Sequence, residues 1–289
     1  MSTPDPEMSL QDPFLRHRLR RDELLWGNVI AIGALHVGAL LAPFFFSWSA
    51  LGVAVLLWWI SGGLGICLGY HRLLTHRSFE TPKIVEYALT VFGNLTWQGS
   101  PIRWVGTHRM HHRDSDAEGD PHSPQHGFSW AHTFWCLMED PLGRDPRELA
   151  KDMQRDRVHV LLDRFFWVPQ IVLAVVLYAL GGWPWVIWGI CVRTVFSYHA
   201  TWFVNSAAHT WGYRNFDTLE NSHNTWWVAL VSFGEGWHNN HHAFARSARH
   251  GLRWWELDLT YVTIRLMQVF GLAKNVHAVR WRSVRGQKA

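Results

Sequence analysis

Charge is scarce in this 289-residue sequence: Asp, Glu, Lys and Arg make up 17% of it, against roughly 25% in soluble domains. Between Leu24 and His71 there is none at all. Such a run is unsuited to the surface of a soluble domain and fits two spans of about 20 apolar residues each. Cysteine is rare too. Cys67, Cys136 and Cys191 are odd in number, widely spaced and without a CxxC pair, so neither a disulfide framework nor a thiolate metal site is indicated. No dense Lys/Arg stripe accompanies the net charge of +4, which therefore points to a membrane surface or an anionic head group and not to nucleic acid. The sequence shows no internal repeat and no low-complexity tract, and neither a secretory leader nor an appended electron-transfer domain is expected.

What is abundant is tryptophan, at 20 residues, and phenylalanine, at 16, yet mean hydropathy is only -0.08. The apolar residues must then be gathered in blocks beside a substantial polar portion. Spans are expected near 25–46 and 49–69, and two more at 165–182 and 185–206, where only Arg193 interrupts and Gly181-Gly182-Trp183-Pro184 offers a turn. Two shorter apolar stretches, 84–97 and 225–234, are expected to lie against the membrane face. The predicted fold is an all-α integral membrane protein. It has four transmembrane helices in two hairpins, with a cytosolic helical cap that holds a histidine-rich site. A polar basic leader (1–23) precedes one catalytic unit (24–276) and a basic tail (277–289). The segment Arg16-His17-Arg18-Leu19-Arg20-Arg21 places the N-terminus on the cytoplasmic side. Both termini and the polar segments are expected to follow it there, in a multi-pass membrane protein. Most tryptophans are read as anchors at the membrane–water boundary.

Histidine, at 19 residues, is the second excess, and nine of these residues fall into clusters. His71 and His76 stand five apart, which on a regular α-helix points them to different sides, so they would serve two metals or flank a helix end. His108, His111 and His112 form an HxxHH triplet, in which residues three or four apart share a helix face and the adjacent His112 is expected to reach a neighbouring ion, and His238, His241 and His242 repeat the spacing. His209 lies one turn after Asn205 at the inner end of the fourth span. Imidazole suits Zn, Cu, Fe and Ni, so spacing leaves the metal open. Nine ligands favour two ions, and a dinuclear oxygen-activating centre accounts for them better than zinc hydrolysis does.

The strings GYHRLLTHRSF, HRMHHRDSDAEGDPH, NSAAHTWGYR and GEGWHNNHH, which lie between Gly69 and His242, carry a resemblance, extending from about Leu24 to about Val276, to the membrane fatty acyl desaturases, especially the delta-9 (stearoyl-CoA) type and its bacterial relatives. That likeness implies a place in the bacterial cytoplasmic membrane. The resemblance implies that His71, His76, His108, His111, His112, His209, His238, His241 and His242 ligate two irons, with Asn205 coupled through water. It also implies a bent acyl channel shaped by Gln98, Trp104, Thr201 and Trp202, with Trp59 and Gly63 near its closed end. The implied reaction inserts a cis double bond, at delta-9, into a saturated acyl chain. It uses dioxygen and two electrons from a ferredoxin or cytochrome b5 type donor with its NAD(P)H-dependent reductase, and no haem or flavin is expected. The acyl group could arrive as a thioester or in a membrane lipid. Ala245 departs from the proline common in relatives, with a small loop effect expected. Arg193, an Arg in the family as well, is expected to be paired or snorkelling and structural.

The other histidines, His17, His36, His122, His126, His132, His159, His199, His223, His250 and His277, are read as surface or packed residues, His36 and His199 as neutral and hydrogen-bonded. Asp114, Asp116, Glu118 and Asp120 are read as solvated or as holding the ligands from behind. Two other functions fit parts of the pattern. A membrane alkyl or fatty acid hydroxylase uses similar clusters. A membrane metal-binding or transport protein would need polar residues along its spans, and the first hairpin has almost none.

Overall fold

A computed structural model of the chain describes residues 23–284, so the basic leader around Arg16–Arg21, His17 and the last five residues lie outside it. Among the described residues the protein is helical, with isolated β-bridges and no strand. Two helical runs are long and apolar enough to cross a membrane, Trp48–Thr75 and Val168–His209.

Helix α1 (Trp26–Leu40) leads through a short 3-10 turn to α2 (Trp48–Thr75), whose first turn is capped by the Ser47 hydroxyl accepting from the amide of Ala50. From Trp59 to Thr75 α2 widens into a π-helix that closes its hydrogen bonds five residues back. Helix α3 (Lys83–Asn94) packs on this wide segment, and the approach is made by glycine on both sides. A Cβ at Gly65 would sit 2.4 Å from the backbone nitrogen of Gly93, and one at Gly93 would sit 2.2 Å from the Tyr70 ring. Adding a methyl group at Gly93 is therefore expected to cost at least the roughly 1–3 kcal/mol of an overpacked core. Gly93→Ala should show this as loss of monodisperse protein in size-exclusion chromatography. An unchanged yield would contradict the packing described.

The second long run is not one rod. Gly182 adopts φ 64 and ψ -157, a conformation open to glycine, and the chain reverses there into α6 (168–181) and α7 (183–205), ahead of which lie α4 (Pro101–Asp114) and α5 (Arg157–Arg164). Antiparallel pairing is visible in Gln170 donating to Thr194 at 3.0 Å and in Leu177 packing beside Gly189. The expected turn at Gly181-Gly182 is thus where the chain bends. Arg193 lies buried in this hairpin, where its guanidinium donates to the carbonyls of Gly189 and Leu95, to Ser61 and to Gln170. Its donors are satisfied by neutral acceptors, which lowers the cost of burying the charge. Helices α8 (Trp226–Val231), α9 (His238–Ala243) and α10 (Leu259–Val269) complete the unit that carries the second HxxHH triplet.

Candidate metal centre

All nine clustered histidines meet at one place, where the end of α2, α4, the turn after α7 and α9 converge. They divide into two groups, and within each group the candidate ligand atoms lie within 4.8 Å of one another: His71, His76, His108, His112 and His241 in the first, His111, His209, His238 and His242 in the second.

The spacing of His71 and His76 resolves differently from a regular helix. Both join the same five-histidine group because α2 is a π-helix there. His76 caps its end, and its amide donates to the carbonyl of His71 at 3.1 Å. Positions five apart stack in that geometry, so the pair flanks a helix end and does not divide between two metals. The HxxHH triplet of α4 is the one that divides, with His108 and His112 in the first group and His111 in the second. The triplet of α9 divides likewise, with His241 in the first group and His238 and His242 in the second.

The inward nitrogens fit metal ions. Metal–imidazole bonds of about 2.1 Å at right angles place neighbouring nitrogens about 3.0 Å apart. The Nε2 separations are 3.1 Å for His71–His241, 2.9 Å for His112–His241, 3.1 Å for His108–His112, 3.0 Å for His209–His238, 3.0 Å for His238–His242 and 3.3 Å for His111–His242. His76 Nε2 is buried with no hydrogen-bond partner, an orphan that a cation would satisfy.

Behind the rings stand carboxylates, of which sequence spacing had singled out only Asp116 and Asp120 as candidates. Asp120 lies 2.9 Å from His111 Nδ1, Asp116 3.0 Å from His209 Nδ1 and Glu235 2.6 Å from His71 Nδ1. A carboxylate at Nδ1 keeps the proton on that nitrogen and leaves Nε2 as a lone pair aimed inward. Asp114, by contrast, pairs with Arg113, and Glu118 is exposed. Burial holds the imidazoles of His76, His108, His112, His238, His241 and His242 well below their ordinary pKa, assisted by neighbouring histidines. Burial also acts to lower His111, but Asp120 outweighs it and the net shift is upward. Neutral rings are the ligating form.

The asparagines between the last histidines fix α9, a helix too short to hold itself. Asn239 accepts from the amides of Asn215 and Phe216 at 2.7 and 2.9 Å. Asn240 donates to the His250 carbonyl and to Glu256, both at 2.8 Å. Beneath the five-histidine group, the fully buried Arg72 donates to Glu235, Asp258 and the carbonyl of Ala248, tying α2 to the C-terminal unit.

Of the expected channel residues, Trp104 stacks on His108 with ring centroids 5.3 Å apart, and Gln98 donates to Thr201 at 3.0 Å. Trp202 is buried and stacks on Tyr198. Trp59 is 44% exposed with its ring edge over Gly63, while its neighbour Trp58 lies against Phe196 and Phe233. Asn205 is half-buried at the end of α7. His36 and His199 bond to each other at 3.2 Å, and His199 continues to His132 at 3.0 Å. His122 and His250, read as ordinary surface or packed residues, are buried directly against the rings of the candidate ligands His111 and His241. Their separation in sequence from the nearest ligand triplets gave no sign of this.

Comparison with known proteins agrees with the site. Residues 46–269 match the family model described as fatty acid desaturase. The chain is 53% identical over 258 residues to the sn-1 stearoyl-lipid 9-desaturase of Anabaena variabilis, covering 89% of this chain and 95% of that protein. It is 51% identical to the sn-2 palmitoyl-lipid 9-desaturase of Nostoc sp. (strain 36), covering 88% and 90%. It is 45% identical to an acyl-CoA 5-desaturase of Anemone leveillei, covering 86% and 78%. With the family's histidine strings gathered into two metal-compatible groups beside long apolar helices, this chain belongs to the fatty acid desaturase family and is an oxygen-dependent acyl desaturase.

Proposed function

We propose that the protein is a di-iron desaturase that places a cis double bond at carbon 9 of an acyl chain carried in a membrane glycerolipid. The observation that carries this reading is the division of nine histidines into adjoining groups of five and four. The lipid-borne substrate is supported by the order of the relatives: identities of 53% and 51% go with proteins named for stearoyl- and palmitoyl-lipid substrates, and 45% with one named for acyl-CoA. Four spans are proposed, α1, α2, α6 and α7. Both termini and the metal centre lie on the cytoplasmic side, as the basic leader directs.

Bound iron supplies the oxidising power by which two hydrogens leave adjacent carbons while dioxygen, two electrons and two protons become two waters. His71, His76, His108, His112 and His241 would hold one ion, and His111, His209, His238 and His242 would hold the other, with Asn205 as a partner that a water would link to it. Gln98 and Thr201 fix each other across the path of the chain, and Trp104 and Trp202 shape its bend. The electrons come from an external ferredoxin or cytochrome b5 type carrier, reduced by an NAD(P)H-dependent enzyme. Metal analysis of purified protein tests the reading, with two irons per chain expected. A single iron, or zinc in both places, would contradict it.

Trp59 and Gly63 are proposed to set the depth of the acyl channel. In Trp59→Ala the preferred chain is expected to lengthen by about the two carbons that a lost indole leaves room for, at roughly 0.8 kcal/mol per buried methylene. Chain-length profiles of the products check this, and an unchanged preference would sink it.

A further inference from the structure

Outside the nine ligands, two histidines repeat one arrangement at the two metal groups. His250 and His122 are 0% and 3% exposed. The ring of His250 lies 4.3 Å from that of His241 with 34° between planes, and the ring of His122 lies 4.4 Å from that of His111 with 35° between planes. Each also shares a carboxylate with a ligand. Glu235 Oε2 is 2.6 Å from His71 Nδ1 and 3.1 Å from His250 Nδ1. Asp120 is 2.9 Å from His111 Nδ1 through one oxygen and 3.6 Å from His122 Nδ1 through the other. Backbone bonds pin both residues, His250 N–H to Asp258 at 2.7 Å and His122 N–H to Asp120 at 3.1 Å.

The two copies arise from different stretches of chain. Asp120 and His122 are neighbours in one loop, whereas Glu235 and His250 lie on either side of α9. The same geometry is therefore assembled twice by unrelated local structure, which argues against incidental packing. A third cation at His71, Glu235 and His250 would compete with Arg72, whose guanidinium already neutralises Glu235 at 2.9 Å.

We propose that His250 and His122 are positioning residues, one for each metal, that restrict the turning of a ligand imidazole by tilted ring contact, His250 lying also beside the carboxylate that orients His71. An imidazole ligand turns about its Cβ–Cγ bond through a broad energy well, and the nitrogen lone pair meets the metal squarely only near one setting. A carboxylate at Nδ1 fixes the tautomer, and a second ring tilted against the first restricts the rotation. His250 acts on two ligands of the five-histidine group, His241 by ring contact and His71 through Glu235. His122 acts on His111 alone. The inference rests on the two-metal reading above.

The test uses the full chain in detergent, loaded with iron-57, and reads Mössbauer spectra and iron release to a chelator. His76→Ala and His209→Ala serve as references that each lack one iron and so assign the two signals. In His250→Phe the iron of the five-histidine group is expected to show an altered signal and to be bound about 10–100-fold more weakly, the usual effect of losing an outer partner. The other iron is unchanged. His122→Phe gives the converse. Should the Phe variants fail to accumulate, His250→Gln and His122→Gln, which keep a donor but no ring, give the same site-selective loss in smaller measure. His159→Phe, at another buried histidine, leaves both signals intact. Equal effects on both irons, or none, overturn the inference. Reference variants that do not each lose one iron overturn the two-metal reading and the inference with it.

Discussion

In His241→Ala, double-bond formation is expected to fall by more than the roughly 100-fold that loss of an outer partner can cost, and the five-histidine group is expected to lose its iron. His241 is fully buried, and its Nε2 lies between those of His71 and His112, at 3.1 and 2.9 Å. His238 and His242 of the same helix fall in the second group and do not take its place. Burial keeps His76, His108 and His112 neutral and ready to ligate, but without the fifth nitrogen that group is open on the α9 side. Purified variant should contain one iron per chain, held by His111, His209, His238 and His242. Wild-type activity, or two tightly held irons, would contradict the assignment.

Arg72 gives the second large effect, on stability. Its guanidinium is fully buried and forks between two carboxylates, 2.9 Å from Glu235 and 2.9 Å from Asp258. A planar five-donor group can serve both acids and the Ala248 carbonyl at once, and a lysine cannot. Arg72→Met would leave two buried acids without their cation, a change that typically costs about 3–5 kcal/mol. Glu235 would feel it most. Burial acts to raise its pKa, but Arg72, His71 and His250 together hold it well below the ordinary value. Losing Arg72 also frees the carboxylate that orients His71, so metal binding should weaken along with folding. Thermal unfolding in detergent is expected to show a Tm lower by on the order of 10 °C. An unchanged Tm would show that the buried pairs contribute little.

The candidate histidine cluster was legible in the sequence because its members come in short local strings: two HxxHH triplets, one HxxxxH pair and one His after Asn-Ser-Ala-Ala. How they are shared was not legible from spacing. That depends on α2 being a π-helix, so that His71 and His76 stack, and on α4 and α9 meeting face to face, so that each triplet is divided. The hairpin at Gly182 was announced by its Gly-Gly-Trp-Pro string, since glycine and proline mark turns by backbone geometry alone. The contacts of Glu235, His122 and His250 with the candidate ligands were not legible, for the opposite reason. Their roles arise from contacts made only once α2, the 116–122 loop and the C-terminal unit are packed together. Arg193 was correctly suspected as structural, but its neutral partners Gln170 and Ser61 come from α6 and α2.

The most direct test of the central claim is the fatty acid composition of a desaturase-deficient host expressing this chain, with iron and a reduced carrier supplied. It would be analysed by gas chromatography and mass spectrometry, with derivatives that report double-bond position. The account predicts a new cis mono-unsaturated acid, unsaturated at carbon 9 and recovered from glycerolipid, that is absent when His241→Ala replaces the wild type. A hydroxy acid in its place, or no new product from iron-loaded protein, would contradict it.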